Sequence, residues 1–342
     1  MPTSASAFAG ATQFDLSGES LSLDAVYDGG HIVHVLANLN TGSNTGALYD
    51  YPFDTTLNAF KAGVSLATDA ATVSGDYAGS SGISGMVDQA GMLQVAYWSK
   101  SKHIVYKAYS YTGGVLTQVG ATQQVDTSGS ANHPAVAVSP VDNSLTVAWV
   151  SQATSPARIL ARSRTSAGVW GAVETVSTAP VWTSTSAGIN IDQGPSLLIG
   201  SDGTKHLTYI EDVDTTGTYG HVHYVSNSGS GWTDKALSAY SHDPALALTS
   251  KGDLYIIGHG HPKSKNTTCL STDDMCTIKR NADGTWGGQQ LFAAHAPSGS
   301  FDTSPSVKWS VVGFNQPNVI EFLFAAISGA DYSHPTIYYG RF

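Results

Sequence analysis

The chain repeats itself, and the repeat leaves few ways to fold. A small or proline-led start is followed by an alternating apolar run, a turn, and a second alternating run. His133-Pro134-Ala135-Val136-Ala137-Val138 precedes Asp142-Asn143 and then Leu145-Thr146-Val147-Ala148-Trp149. The pattern returns as Gly194-Pro195-Ser196-Leu197-Leu198-Ile199, the Asp202-Gly203 turn, and His206-Leu207-Thr208-Tyr209-Ile210. It returns again as Asp243-Pro244-Ala245-Leu246-Ala247-Leu248 with Lys251-Gly252 turning into Leu254-Tyr255-Ile256-Ile257, and weaker copies begin near Leu21, Gly82 and Ser304. The period is roughly 50–60 residues, the length of a four-stranded propeller blade.

Each unit continues into a third and a fourth run. Ile104–Tyr109, Arg158–Ser163 and His221–Val225 read as third strands, and their ends lead into Gly168-Val169-Trp170, Gly231-Trp232 and Gly284-Thr285-Trp286. Apolar residues at every second position, bounded by glycine and Asp-Gly turns, are the signature of strands and hairpins. No segment carries a helical period. The expectation is an all-β chain, one domain over residues 1–342, forming a single β-propeller of about six four-stranded blades; an unclosed stack of repeats, or two sandwiches, is the alternative. The last unit stops at a third strand, Thr336-Ile337-Tyr338-Tyr339, and Thr12-Gln13-Phe14-Asp15-Leu16 at the other end is expected to supply the missing fourth. Such an N-terminal strand joining the last blade would remove an exposed edge and keep the ring shut.

Composition narrows the function classes. Only 12% of residues are charged and four are glutamates (Glu19, Glu174, Glu211, Glu321), a poor supply for the wet faces of helices. The formal net charge of −10 offers no basic stripe to neutralise phosphates, so nucleic acid is not an expected partner. No run approaches the ~18 uncharged apolar residues of a membrane span. Cys269 and Cys276 are the only cysteines and bracket a short loop that a disulfide would close. Two free thiols are the alternative. A disulfide implies an oxidising compartment, so a secreted protein is expected, and Asn266-Thr267-Thr268 is a glycosylation acceptor. No leader is legible at Met1-Pro2-Thr3-Ser4, which reads as a trimmed start.

The glycine–tryptophan ends of the third strands resemble the Asp-box repeat, S-x-D-x-G-x-x-W, of sialidase-like propellers. Ser163-Arg164-Thr165-Ser166-Ala167-Gly168-Val169-Trp170 keeps its spacing with Thr for Asp and Ala for Gly, and Asn281-Ala282-Asp283-Gly284-Thr285-Trp286 keeps an Asp-Gly and the Trp. The stretch from His242-Asp243-Pro244 through Gly252 to His259-Gly260-His261 is similar to BNR-type propellers among polysaccharide lyases. The resemblance implies a carbohydrate partner. A sialidase gathers three arginines around its substrate's carboxylate, whereas this chain has Arg158, Arg162, Arg164, Arg280 and Arg341, with Arg162 and Arg164 on one strand face away from the axis. That departure argues against sialidase activity. The repeated tryptophans are expected to plug the gaps between blades.

In a propeller, the loops leading into each innermost strand share one face with those joining the second and third strands. That plan gathers Asn132-His133, Asp192-Gln193, His242-Asp243 and Asp302 with Lys100, Lys102, His103, Arg158, Glu211, Tyr219, His221, His259, His261, Tyr332 and His334. Two chemistries on a polysaccharide fit such a set. For β-elimination, His242, His259 or Tyr219 would take a proton beside a uronate and Arg158 would balance the charge. For hydrolysis, Glu211 would pair with Asp243 or Asp302. His133, Asp243, Asp302, His221 and Lys102 are the expected substrate contacts. His259 and His261 fall on one side of a strand, where they could share a divalent metal ion, structural or catalytic. The plainer reading of these histidines and aspartates is that they tie loops and blades together. Unequal loops after Ile210, Ile257 and Trp98 favour a single enzymatic site; repeated sugar pockets of a lectin, or a non-catalytic scaffold or adhesin, are the alternatives.

Overall fold

The computed structural model describes residues 20–42, 45–57, 59–71, 82–181, 194–211, 220–241, 244–249, 252–259, 269, 275–293, 309–312, 321–326 and 336–341. Within them the alternating runs are strands, and no helix occurs. Six antiparallel sheets among these residues follow one another along the chain. The first holds β1 (Ser20–Tyr27), β2 (Ile32–Gly42) and β3 (Thr45–Asp54), with β4 (Ala59–Phe60) and β5 (Val64–Ala71) both on the outer side of β3. The second is β6 (Ile83–Val87), β7 (Met92–Trp98), β8 (Ile104–Thr112) and β9 (Val115–Gln124). The third is β10 (Ala131–Val138), β11 (Leu145–Ser151), β12 (Arg158–Arg164) and β13 (Trp170–Thr175). The fourth is β14 (Ser196–Ile199), β15 (Lys205–Ile210), β16 (Gly220–Asn227) and β17 (Thr233–Ser241). The fifth is β18 (Ala245–Leu248), β19 (Leu254–His259), β20 (Met275–Lys279) and β21 (Gln290–Ala293). The sixth contains β22 (Trp309–Val312), β23 (Glu321–Ala326) and β24 (Thr336–Arg341).

The first strands lie side by side in a cycle: β1 touches β6, β6 touches β10, and so through β14, β18 and β22 back to β1. The sheets therefore radiate from a common centre. Thr12–Leu16, the expected closing strand, lies outside the described residues.

A first strand has no hydrogen-bonded neighbour on its inner side, so some of its N–H groups need other acceptors. Side chains of the preceding sheet supply them. Asp24 Oδ2 accepts from Gly85 N (2.8 Å), Ser84 Oγ from Val136 N (3.1 Å), and Ser196 Oγ from Leu246 N (3.0 Å).

Apolar side chains fill the wedges between consecutive sheets. Leu36, Leu48, Ile83 and Leu93 pack between the first two sheets, and Tyr106, Val147 and Trp149 between the second and third. Ile159, Leu207 and Tyr209 lie between the third and fourth, and Val222, Tyr224 and Ile256 between the fourth and fifth. Outer strands face water: β9 is exposed at most positions and β13 at all but Trp170. The expected disulfide is present, Cys269 to Cys276 with Cα atoms 6.0 Å apart. No helix among the described residues is long and apolar enough to cross a membrane.

Replacing Asp24 with Ala removes the acceptor for Gly85 N. We expect a loss of about 1–3 kcal/mol, the cost of an orphaned buried donor, read as a lower urea midpoint with an unchanged m-value.

Candidate functional site

The positions expected to line one mouth fall partly within the described residues. Lys102 sits in the tight turn after β7 with φ of 63°, and its carbonyl accepts from Ala131 N (3.3 Å) at the start of β10. His133 follows at φ of 50°, at the irregularity between Asn132 and Ala135. Arg158 opens β12 opposite Ser151, which itself lies opposite Ala131. The backbones of these three expected residues thus meet at one end of sheets 2 and 3. Arg158 Nη1 turns to the carbonyl of its neighbour Ala157 (3.3 Å). His103 is tied on one side, its Nδ1 lying 3.0 Å from the buried Asp126 carboxylate that also caps Ile104 N. His259 is placed by its backbone as the last residue of β19. Tyr219, His242, Asp243, His261 and Asp302 lie outside the described residues. Among the described residues no group of three or more His, Cys, Asp or Glu has the geometry to hold a metal.

Glu211 and His221 do come together. Alternation on β16 puts His221 and His223 on the same face, and Glu211, just past β15, reaches both: Oε2 is 3.2 Å from His221 Nδ1 and 3.1 Å from His223 Nε2. On its other side His223 Nδ1 meets Asp234 Oδ1 at 2.7 Å. Asp234 is buried yet well supplied with donors, from the Tyr209 hydroxyl (2.6 Å) and from Thr178 N and Oγ1 (2.7 and 2.8 Å). Burial opposes the ionised carboxylate. The hydrogen bonds from His223, Tyr209 and Thr178 overcome it and hold the Asp234 pKa down to about 2. Burial likewise works against a charged His223, but the bonds and charges of Asp234 and Glu211 outweigh it and raise the imidazole's pKa. The result is an imidazole clasped between two carboxylates that favour its charged form, ending in the partly exposed His221.

A second set of polar groups lies between sheets, where the repeated tryptophans were expected only as plugs. A cavity of about 320 Å³ opens between sheets 2 and 3. Trp170, at the start of β13, packs edge-on against Tyr106 of β8 (centroids 5.7 Å apart, planes at 85°). Its indole N–H donates to Gln123 Oε1 (2.7 Å), and Arg162 stacks on its ring. Tyr106 donates to Gln94 Oε1, and Gln94 Nε2 donates to Asp88 Oδ2 (2.8 Å). Arg164 extends over the Tyr106 ring (5.3 Å) into the cavity, and its buried Nε has no acceptor. Burial raises the Tyr106 pKa; Arg164 opposes that rise and Asp88 adds to it, so a cation and an anion flank one hydroxyl.

The arrangement recurs two boundaries further on, between sheets 4 and 5. Arg280 and Trp286 repeat the six-residue spacing of Arg164 and Trp170, across turns closed by Gly284 and Gly168 at φ of 81° and 89°. Trp286 packs on Tyr224 (4.9 Å), Arg280 extends over the same ring (5.7 Å), and His206 Nδ1 bonds the Tyr224 hydroxyl (2.7 Å) where sheet 2 has Gln94. The signal legible in the sequence is the shared R-x-x-x-G-x-W spacing. For His223 the available signal is its alternation with His221.

No family model matches the chain, and no curated protein matches it in sequence. Solved structures do. A mutant of AofleA from Arthrobotrys oligospora superposes with a TM-score of 0.61 at 7% identity, over 100% of this chain and 92% of that one. The Aleuria aurantia lectin, a six-bladed β-propeller that recognises fucose, gives 0.57 at 12%, over 91% and 89%. The SapL1 lectin, solved with α-methyl fucoside, gives 0.54 at 12%, over 95% and 93%. The fold is that of a β-propeller. Such low identities establish the fold and nothing about the ligand.

The histidine between sheets 4 and 5 and the clasped His223 titrate in opposite senses. Burial lowers the His206 pKa to about 4, with Arg280 adding to the effect and Asp202 opposing it. A histidine held neutral stabilises fully above its unfolded pKa of about 6.5, and that contribution fades as pH falls towards 4. His206→Gln should therefore flatten the acid side of the stability curve by on the order of 3 kcal/mol. His223 is the reverse: its contribution is complete below about 6.5 and fades as pH rises through its raised folded value. Urea melts of His223→Gln should show the largest deficit against wild type at pH 5–6 and the smallest in alkali, where the imidazole is neutral in both states.

Proposed function

We propose that this propeller is a saccharide-binding protein of lectin type, working at pockets between its sheets. The single observation that carries the reading is the repeated boundary unit: an arginine whose buried Nε lacks an acceptor, laid over a tyrosine and flanked by a tryptophan, at two sheet boundaries. An enzyme builds one constellation, whereas a lectin reuses a pocket and gains by avidity. Unequal loops do not bear on this choice, because the repeated groups sit on strands and turns at the opposite end of the third strands. At the sheet 2–3 cavity, Arg164 and the side-chain amide of Gln123 would donate, Asp88 would accept, and Met92, Val138 and Leu145 would cover an apolar sugar face. Adjacent hydroxyls of a pyranose ask for that mixture. The fucose-binding lectins of the same fold support a carbohydrate partner. We further infer a single six-bladed domain over residues 1–342, closed by the N-terminal segment, secreted, and related to sialidase-like propellers through its degenerate Asp-box turns.

Binding of the wild type on a glycan array, followed by titration calorimetry, tests the reading. Arg164→Ala should weaken binding of the selected neutral saccharide at this pocket about ten-fold or more, as expected for removing a charged donor. Equal affinity in the variant, or no glycan bound by the wild type, ends it.

Acid–base catalysis on a polysaccharide is a second reading, favoured by the His221–Glu211–His223–Asp234 chain, in which a carboxylate-backed imidazole reaches partial exposure. A polysaccharide screen for new reducing ends or ultraviolet-absorbing unsaturated ends should then give turnover that falls at least a hundred-fold in Glu211→Gln. Absence of turnover on every polymer removes it.

A further inference from the structure

The two boundary units differ in a way that separates their ligands. At three boundaries a tryptophan on the later sheet faces the outer strand of the earlier one. Trp170 donates its indole N–H to Gln123 Oε1 (2.7 Å), and Trp232 donates to Glu174 Oε2 (2.7 Å). Gln123 and Glu174 occupy equivalent places: Gln123 pairs with Tyr106, Glu174 with Ala161, and these pair in turn with Ala96 and Ala148, each four residues past the equivalent hairpin bond. The same register in sheet 4 runs from Thr208 to Tyr224 to Lys235. Where two sheets supply an acceptor, the fourth supplies a cation.

The consequence is visible at Trp286. Its Nε1 is buried without a hydrogen-bond partner, and so is Nε of the adjacent Arg280. A buried polar group without a partner costs free energy that proteins rarely leave uncompensated, and two neighbouring donors in that state ask for two acceptor oxygens. The carboxylates nearby are already engaged. Asp202 accepts Thr204 N and Oγ1 (both 2.9 Å), and Asp283 accepts Thr285 N and Oγ1 (2.9 and 2.6 Å). His206 is tied to Tyr224, and its neutral form adds no negative charge. At the sheet 2–3 cavity the equivalent register position holds Gln123 rather than a lysine, and Asp88, which accepts Ala90 N, Met92 N and Gln94 Nε2 (2.8, 2.9 and 2.8 Å), lines the cavity with Arg164.

We propose that the boundary between sheets 4 and 5 is a second binding site, selective for a carboxylate-bearing sugar unit, in which Arg280 and the Trp286 indole N–H hold the two carboxylate oxygens and Lys235 adds long-range attraction. It rests on the saccharide-binding reading and deepens it, since the sheet 2–3 cavity has a neutral Gln123 where sheet 4 has Lys235 and so suits neutral hydroxyls. A guanidinium and an indole N–H packed on one tyrosine ring supply two donors for one carboxylate, and charge-assisted hydrogen bonds are about twice as strong as neutral ones.

The test compares trigalacturonate with its fully methyl-esterified form, by titration calorimetry and by tryptophan fluorescence. Wild type should bind the acid at least ten-fold more tightly than the ester. Arg280→Ala should weaken acid binding by about ten- to a hundred-fold. Trp286→Phe keeps the ring and deletes one donor, so it should weaken acid binding several-fold while thermal melts stay close to wild type. Lys235→Gln should lower affinity chiefly at low ionic strength. Equal affinity for acid and ester, or acid binding unchanged in both Arg280→Ala and Trp286→Phe, overturns the site. If wild type binds neutral saccharides but not trigalacturonate, this inference falls and the saccharide reading stands. If it binds neither, both fall.

Discussion

Everything in this molecule depends on how the inner edge of each sheet is satisfied. A four-stranded sheet standing alone would expose the N–H and C=O groups of its first strand. Among the described residues the inner edges lie side by side in a cycle, each beside the next but not hydrogen-bonded into a continuous ladder. Asp24, Ser84 and Ser196 answer that problem by accepting single N–H groups across the gap. Further out the wedge between sheets widens, and larger side chains are needed: Leu36 and Ile83 near the centre, then Tyr106 with Trp170, or Tyr224 with Trp286, towards the rim.

The candidate sites are products of that widening wedge. Aromatic rings fill it, but rings with polar edges bring N–H and O–H groups into a partly buried space, and each needs a partner. Gln94, Gln123 and Glu174 meet that need at some boundaries. Arg164, beside Gln94 and Gln123, and Arg280 with Trp286, between sheets 4 and 5, keep unanswered donors. An unanswered donor at the edge of a cleft is affinity held in reserve, released when an acceptor arrives already shaped to fit. Each arginine lies over a tyrosine of the neighbouring sheet, Arg164 at 5.3 Å from the Tyr106 ring and Arg280 at 5.7 Å from the Tyr224 ring. The Glu211–His221–His223–Asp234 chain solves a different problem: it ties the segment at Thr178 to sheet 4 through ionised groups rather than apolar contact. Its dependence on pH follows from that choice.

How much of this is legible in advance varies with the range of the interaction involved. Strands announce themselves through local alternation, and the recurrence of Pro-led starts and Asp-Gly turns is enough to count units, since both depend on neighbours a few residues apart. The plugging role of Trp170 and Trp286 follows from repetition as well. Glu211 stands out by rarity, and its partner His221 by position. His223 and Asp234 do not, because nothing in their local sequence distinguishes a histidine facing a carboxylate from one facing water. Arg164 is remote from the axis, as its strand face implies, yet it is not remote from a cavity. That cavity belongs to two sheets and exists only where they meet.

Short-range periodicity and turn chemistry govern the all-β character, the order of hairpins, the disulfide loop and the spacing of arginine, glycine and tryptophan at the strand ends. All of these are therefore written in the chain itself. Which donors find acceptors is not. Gln123, Glu174 and Lys235 occupy one register position in three consecutive sheets, and the first two each meet a tryptophan more than forty residues away. Whether an indole N–H is satisfied or left open is a property of two sheets packed together, and no stretch of either sheet contains that information.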